Sequence, residues 1–282
     1  MAQRRQPIGM ADVPSYLSMA STVQAVEANL FAFFHHVRQW SRVEWHDGPE
    51  FCWTISDLPF PLFNSVLGAR IAGDRLDAAI DERIDACRRR GVPMLWWTGP
   101  SSEPRELGQH LIERGFFREP AYGMALDLAA LPDFQLPRGP VQIREVADRP
   151  SLGVWTRVLC EAFGAPQPFG DAFADLAWSI GVGETSAFRH FLATVDGAPA
   201  ATCSLFFGAG VAGIYDVATL SARRRRGLGR LVTQAALDQA RAAGYRSAIL
   251  HASSLGLGVY RSLGFQDLCP IGQYIWAPAL EP

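Results

Sequence analysis

Residues 221–230 read SARRRRGLGR, with four consecutive arginines, Arg223 to Arg226, ahead of two glycines at 227 and 229. The stretch follows VAGIYDVATL (Val211 to Leu220), which reads as a strand, and precedes a helical segment from about Gly229 to Ala243. A glycine-containing turn from a strand into a helix lets a ligand approach the backbone closely. The first N–H groups of such a helix are unpaired, and its dipole puts partial positive charge at that end. Four cations there oppose the dipole, so a helix without an anionic ligand gains nothing from them. The arrangement points to a phosphate-bearing ligand rather than to a merely solvated basic patch. GxxxxGK[ST] and GxGxxG are both absent, which removes the P-loop and dinucleotide-binding readings.

The rest of the chain shows that this charge is local. Among 282 residues, 26 basic side chains stand against 28 acidic ones, for a formal net charge of −2. No overall field draws such a protein to nucleic acid or membrane, so neither is expected as a partner. An apolar content of 49% fills a substantial core, and the length suits two ordinary domains. The five cysteines, Cys52, Cys87, Cys160, Cys203 and Cys269, are scattered and odd in number, with no spacing for zinc or for a disulfide framework. They suit a reducing cytoplasm, and the N-terminal residues lack the apolar core of a signal peptide. From Gly197 to Tyr215 no charge occurs, but its glycines and proline break the stretch into two apolar runs and predict a buried hairpin.

The Pro-rich segment LPDFQLPRGP, Leu131 to Pro140, divides the chain into a first half, 1–130, and a second half, 141–282, joined by a linker. The second half predicts a strand at Val141 to Val146 and helices at Leu152 to Gly164 and Gly170 to Gly181. A strand pair turning at Asp196-Gly197 and the strand before the arginine loop come next. The helix after the loop places Leu231, Val232, Ala235, Ala236 and Ala243 on one face, interrupted by Gln239. SAILHAS is a strand, LGLGVYRSLG a short helix, and FQDLCPIGQYIW closing strand text. The first half echoes this order. A helix spans Thr22 to Trp40, strand text covers Phe51 to Ile55 and Phe63 to Ile71, and a helix follows at Arg75 to Arg90. VPMLWW, PRELGQHLIERG and YGMALDL then read strand, helix, strand. Gly115-Phe116 after LIER parallels Gly264-Phe265 after YRSL, so a duplication is the economical explanation.

Arg224 to Gly229 matches Q/R-x-x-G-x-G/A at every specified position, and VYRSLGF, Val259 to Phe265, is similar to LYxxxGF. With the order of elements, these motifs resemble the GCN5-related N-acetyltransferase (GNAT) superfamily. The resemblance is strong from Val141 to Trp276 and degenerate before it. It implies an α/β fold with a central mixed, mostly antiparallel sheet flanked by helices, in two tandem copies. It also implies transfer of an acetyl group from acetyl-CoA, by direct attack, to a primary amine of a small molecule, with no metal. The competing reading is an acyl-CoA-binding regulator without turnover. The resemblance leaves the chain either a monomer or a homodimer.

Carried over residue by residue, the resemblance implies that backbone groups of Val217, Ala218 and Thr219 pair with the pantetheine arm. The loop N–H groups of Arg225, Arg226, Gly227, Leu228, Gly229 and Arg230 would hold the pyrophosphate, with Arg224 opening the motif and arginine side chains reaching outer phosphates. Tyr260 matches the tyrosine that protonates the departing thiolate, a role a neutral phenol suits. Ser253 replaces the Asn that many members carry seven residues before that tyrosine, which puts cofactor contacts there in doubt. An acceptor amine must lose a proton, and Asp216 and His251 are both candidates to take it. His190 and Tyr215 are weaker candidates for the same work, and Cys203 reads as core rather than as a nucleophile. In the first half ARIAGDRLDAAID replaces the arginines and paired glycines, and Leu111 falls where Tyr260 would stand. That half is expected to be non-catalytic and to shape or cover the acceptor cleft. Its aromatic cluster (Phe31, Phe33, Phe34, Trp40, Trp45, Trp53, Phe60, Phe63, Trp96, Trp97) fills a core, with a few rings free to line a pocket.

Overall fold

A computed structural model of the chain describes residues 19–132 and 140–278; most of the expected linker, 133–139, lies outside them. The first half contains α1 (Met19–Val37), β1 (Glu44–Asp47), β2 (Cys52–Ile55), β3 (Ser65–Leu67), α2 (Leu76–Arg90), β4 (Met94–Thr98), α3 (Leu107–Glu113) and β5 (Phe117–Asp127). The second contains β6 (Val141–Glu145), α4 (Arg149–Phe163), α5 (Gln167–Ile180), β7 (Phe188–Val195), β8 (Ala198–Gly208) and β9 (Val211–Thr219). It continues with α6 (Leu228–Ala242), β10 (Ser247–Ser253), α7 (Leu257–Leu263) and β11 (Gln266–Trp276).

Local chemistry sets these boundaries. Asp148 and Ser151 form a reciprocal capping box at the start of α4, and Gly164, at φ +68°, ends it in the left-handed conformation. Asp196 (φ +52°) and Gly197 (φ +77°) make the tight turn between β7 and β8, and Ala209 (φ +52°) and Gly210 (φ +74°) make that between β8 and β9. The uncharged stretch is therefore the β8–β9 hairpin, and no described helix is long and apolar enough to cross a membrane.

All eleven strands form one sheet in the order β1-β2-β3-β4-β11-β5-β10-β9-β8-β7-β6. Leaving aside β6, the order is a palindrome in which β1, β2, β3, β4 and β5 answer to β7, β8, β9, β10 and β11. The orientations agree: β3 with β4 and β9 with β10 are parallel pairs, and every other pair is antiparallel. The duplication read from the text is thus present in the sheet. Its halves are joined by exchange. The last strand of the first half, β5, pairs with β10, and the last strand of the second, β11, pairs with β4.

The sheet separates its cores by alternation along the strands. On β8, Phe206 joins rings of α1, α4 and α5 on one face, while Cys203 and Leu205 join α6 and α7 on the other. A third cluster lies under α2 and α3 around Trp96. The buried face of α6 is Leu228, Val232, Thr233, Ala236, Leu237 and Ala240, and Ala243, expected on it, is exposed. The helix ends one residue earlier, which leaves Ala243 outside it as the C-terminal cap. Gln239 accepts a hydrogen bond from the buried Arg189 guanidinium at 3.3 Å, and Arg189 is also paired with Glu145.

Candidate active site

Strands β9 and β10 are paired only at Ala212, Gly213 and Ile214. Beyond that point they splay, because β10 continues to Ser253 along β5 while β9 runs on to Thr219 along β8. The edge of β9 from Tyr215 to Thr219 consequently faces a cleft without a partner strand. Backbone groups there need hydrogen-bond partners, so an extended ligand can add to it as a strand would. Val217, Ala218 and Thr219 all lie on this edge.

The arginine loop closes one end of the cleft. Arg225 (φ +60°) and Gly227 (φ +75°) are both left-handed and bracket Arg226, a geometry that turns successive N–H groups towards one side. The N–H groups of Arg225, Arg226 and Gly227 meet no backbone acceptor among the described residues. Gly227 caps α6 with no side-chain bond, so the first N–H groups of the helix, from Leu228, Gly229 and Arg230, remain free for a ligand. A Cβ built on Gly229 would meet Thr219 Oγ1 at 3.5 Å and Val217 at 3.9 Å, so the helix start lies close to the end of β9. Arg225, Arg226 and Arg230 are exposed and enter no ion pair among the described residues. Arg224 differs from them. Its guanidinium donates to the carbonyls of Thr219 (3.1 Å) and Ala162 (3.0 Å), so it fastens the loop to β9 and α4 instead of reaching outwards. These features fit a pyrophosphate ester: convergent N–H groups, a helix start and spare cations.

Next to the edge lies a cavity of about 260 Å³ whose lining includes Asp216, Val217, Ser253 and Tyr260. Four of the residues singled out from sequence therefore meet in one space. Asp216 sits in a bulge, where the β8–β9 register shifts between Thr202 and Ser204. Its backbone is left-handed at φ +53°, and its carbonyl accepts a hydrogen bond from Thr202 Oγ1 at 2.8 Å. Burial pushes its carboxyl up to about 6 despite a nearby Ser204 hydroxyl that favours the charged form. Asp216 Oδ2 is buried with no partner among the described residues.

Behind Asp216 lies a polar row that sequence reasoning did not assemble. His190 on β7 is opposite Ser204 on β8, and their side chains approach to 2.8 Å between Nδ1 and Oγ. The Ser204 hydroxyl thus lies between His190 and the Asp216 carboxyl, whose charged form it favours. Burial among Trp155 and Phe188 pushes His190 down to about 3, so its ring is neutral. The signal for this row was weak because it depends on cross-strand register and on a bulge, neither of which is written in local spacing.

Tyr260 stands on α7, with its ring edge-on to Phe265, and burial raises its phenol well above the usual range. Its hydroxyl is therefore neutral and able to donate. His251, also in the lining, is within 3.2 Å of the Val26 carbonyl through Nε2. Since a carbonyl only accepts, Nδ1 carries no proton, and burial pushes His251 down to about 4. Tyr215 donates to Asn29 Oδ1 at 2.7 Å, and Asn29 in turn donates to the Gly208 carbonyl at 2.8 Å. Cys203 is buried on the opposite face, and burial raises its thiol, so it is a core residue.

The far wall comes from the first half. Leu30, Phe33 and Phe34 of α1, Leu62, and Trp97 of β4 line the cavity together with Phe173 and Phe188. Trp40 at the end of α1 donates to Asp175 of α5 at 2.9 Å, which ties this wall to the second half. Of the aromatic residues singled out from the text, Phe33, Phe34 and Trp97 reach the pocket, whereas Trp96 and Phe63 are core. Among the described residues, the corresponding place in the first half has no such site. The start of α2 carries Asp77, held by His110 and Arg114, and Arg75 is engaged by Glu50 and Glu82. Leu111 there is completely buried.

Residues 154–265 match the family described as Acetyltransferase (GNAT) family. That segment is a GNAT domain, and the chain bears it within a tandem GNAT fold. No curated protein is similar to the chain in sequence. Among solved structures, a GCN5-related N-acetyltransferase from Kribbella flavida is 18% identical with a TM-score of 0.67, covering 92% of this chain and 96% of that one. One from Sphaerobacter thermophilus is 18% identical with a TM-score of 0.62, over 98% and 96% of the two chains. A tandem GNAT protein from the clavulanic acid biosynthesis pathway is 13% identical with a TM-score of 0.59, over 94% and 96%. At these identities the solved structures speak for the fold.

Proposed function

We propose that this chain transfers the acetyl group of acetyl-CoA to a primary amine of a small molecule. The GNAT domain makes acyl transfer the general chemistry of the second half. The observation that carries the reading is the meeting of the open β9 edge, the uncapped helix start and the Asp216 and Tyr260 side chains at one cavity. Bound acetyl-CoA supplies the acetyl group as a thioester, whose C–S bond breaks as the C–N bond to the amine forms. Val217 to Thr219 hold the pantetheine arm, the Arg225 to Arg230 backbone holds the pyrophosphate, and Arg225, Arg226 and Arg230 add charge-assisted bonds to phosphate. Ser253, in the cavity lining, is placed to donate to the arm.

Two protons then need places. Asp216, with an unpartnered Oδ2 and a carboxyl near 6, accepts the proton that the attacking nitrogen must lose. Tyr260 gives its phenolic proton to the departing thiolate and recovers one from solvent. His251 is the weaker base of the two, because its free nitrogen protonates only near 4. The experiment is thiol release from acetyl-CoA with a panel of amines, comparing the unaltered chain with Tyr260→Phe and Asp216→Asn. Each substitution is expected to lower turnover about 10²-fold or more while CoA affinity stays within a few-fold. Undiminished turnover in Tyr260→Phe removes that residue from its role. CoA binding with no turnover on any amine overturns the transfer reading.

A further inference from the structure

The acceptor end of the cavity is narrower in chemistry than an amine alone requires, and the geometry points to an arylalkyl primary amine free of anionic groups. This deepens the proposed transfer and rests on it for the chemistry, though not for the binding. Beyond Tyr260 and Ser253 the walls are Phe33, Phe34, Trp97, Phe173 and Phe188, with Leu62 beside them. Such walls favour a flat apolar body, through area removed from water and through edge-to-face ring contacts of the kind they already make with one another. Among the described residues Asp216 is the only acidic one in the lining, which holds no arginine or lysine. A carboxylate or phosphate on the acceptor would be desolvated without a counter-charge. A second ammonium, as in a diamine, would have only ring faces to replace its water, because the carboxylate of Asp216 is taken by the reacting nitrogen.

Size points the same way. A cavity of about 260 Å³ that must also admit the end of the pantetheine arm leaves room for one ring system. A polypeptide segment or an oligosaccharide is too large to be enclosed there and would enter by one end alone. Polar groups in the lining, Gln273 on the strand next to Trp97 and His251 with its ring 6.2 Å from that of Trp97, offer a hydrogen-bonding corner to a ring substituent. Since α1, Leu62 and β4 build one side of the wall, the first half of the chain takes part in the acceptor choice of the second.

The test separates binding from turnover. Calorimetric titration of the CoA-loaded chain with 2-phenylethylamine, L-phenylalanine and putrescine is expected to rank the first tightest by about 30-fold or more. L-Phenylalanine differs from it only by the carboxylate, and putrescine by replacing the ring with a second amine. Leu62→Glu adds a carboxylate to the wall and should weaken 2-phenylethylamine and strengthen putrescine, each by about 10-fold. Equal affinities, or tighter binding of either polar amine by the unaltered chain, overturn the assignment. Affinities for the two amines that do not move in Leu62→Glu overturn the wall's role. The expected ranking without thiol release from acetyl-CoA leaves the pocket assignment standing and overturns the transfer reading instead.

Discussion

Asp216 concentrates the chemistry and pays for it in stability. Its carboxyl protonates near 6 in the folded chain and near 3.8 in a free one. The fold therefore favours the protonated form, so its contribution is complete below about pH 4 and is lost as pH rises through 6. At about 1.4 kcal/mol per pKa unit, the loss is of order 3 kcal/mol at neutral pH. Asp216→Asn should consequently melt higher than the parent at pH 8, with the gap closing towards pH 4; thermal unfolding across that range checks it, and a constant gap contradicts it. The Ser204 hydroxyl favours the carboxylate, so Ser204→Ala should move the acid limb of kcat/KM to higher pH. A limb that stays in place, measured by thiol release against pH, detaches the His190 and Ser204 row from the site. Asp216 was legible as a candidate because an acid in apolar strand text stands out. Its left-handed backbone and its two partners behind it were not legible, since they arise from a register shift between strands.

At the scale of elements, the arginine loop divides its labour. Arg224 is spent on two carbonyls, while Arg225, Arg226 and Arg230 are exposed and free of ion pairs. Replacing any of those three by Ala should weaken CoA binding and flatten its dependence on salt, because each removes one charge from a phosphate site. Arg224→Ala should lower thermal stability and leave the salt dependence unchanged; titrations at two ionic strengths tell the cases apart. Gly227→Ala forces a side chain into the left-handed region, at a cost of roughly 1–2 kcal/mol, and should lower CoA affinity by distorting the loop. The order of strands and helices was readable here because turns, caps and glycines carry it locally. Strand β1 was not expected, since Glu44-Trp45-His46-Asp47 is an exposed edge strand with no buried apolar alternation to announce it.

The whole molecule is one sheet whose halves complete each other. Because β5 pairs with β10 and β11 with β4, neither half keeps its central strands when separated from the other. Calorimetry should accordingly show a single cooperative unfolding transition, and two well-resolved transitions would contradict that dependence. Sequence showed the duplication through Gly115-Phe116 and Gly264-Phe265, but exchange of last strands is a long-range pairing that no local pattern encodes. The same exchange brings Trp97 and Gln273 side by side at the acceptor wall; Phe33, Phe34 and Trp97 stood out in the text as aromatic residues, but their meeting with Gln273 did not. The account as a whole holds that a single acyl-CoA site lies at the β9–β10 splay. A crystal structure with CoA tests this most directly. The account predicts the pyrophosphate on the N–H groups of Arg225 to Arg230 and the pantetheine arm along Val217 to Thr219, its thiol beside Tyr260. CoA bound at the start of α2, or away from the β9 edge, would contradict it.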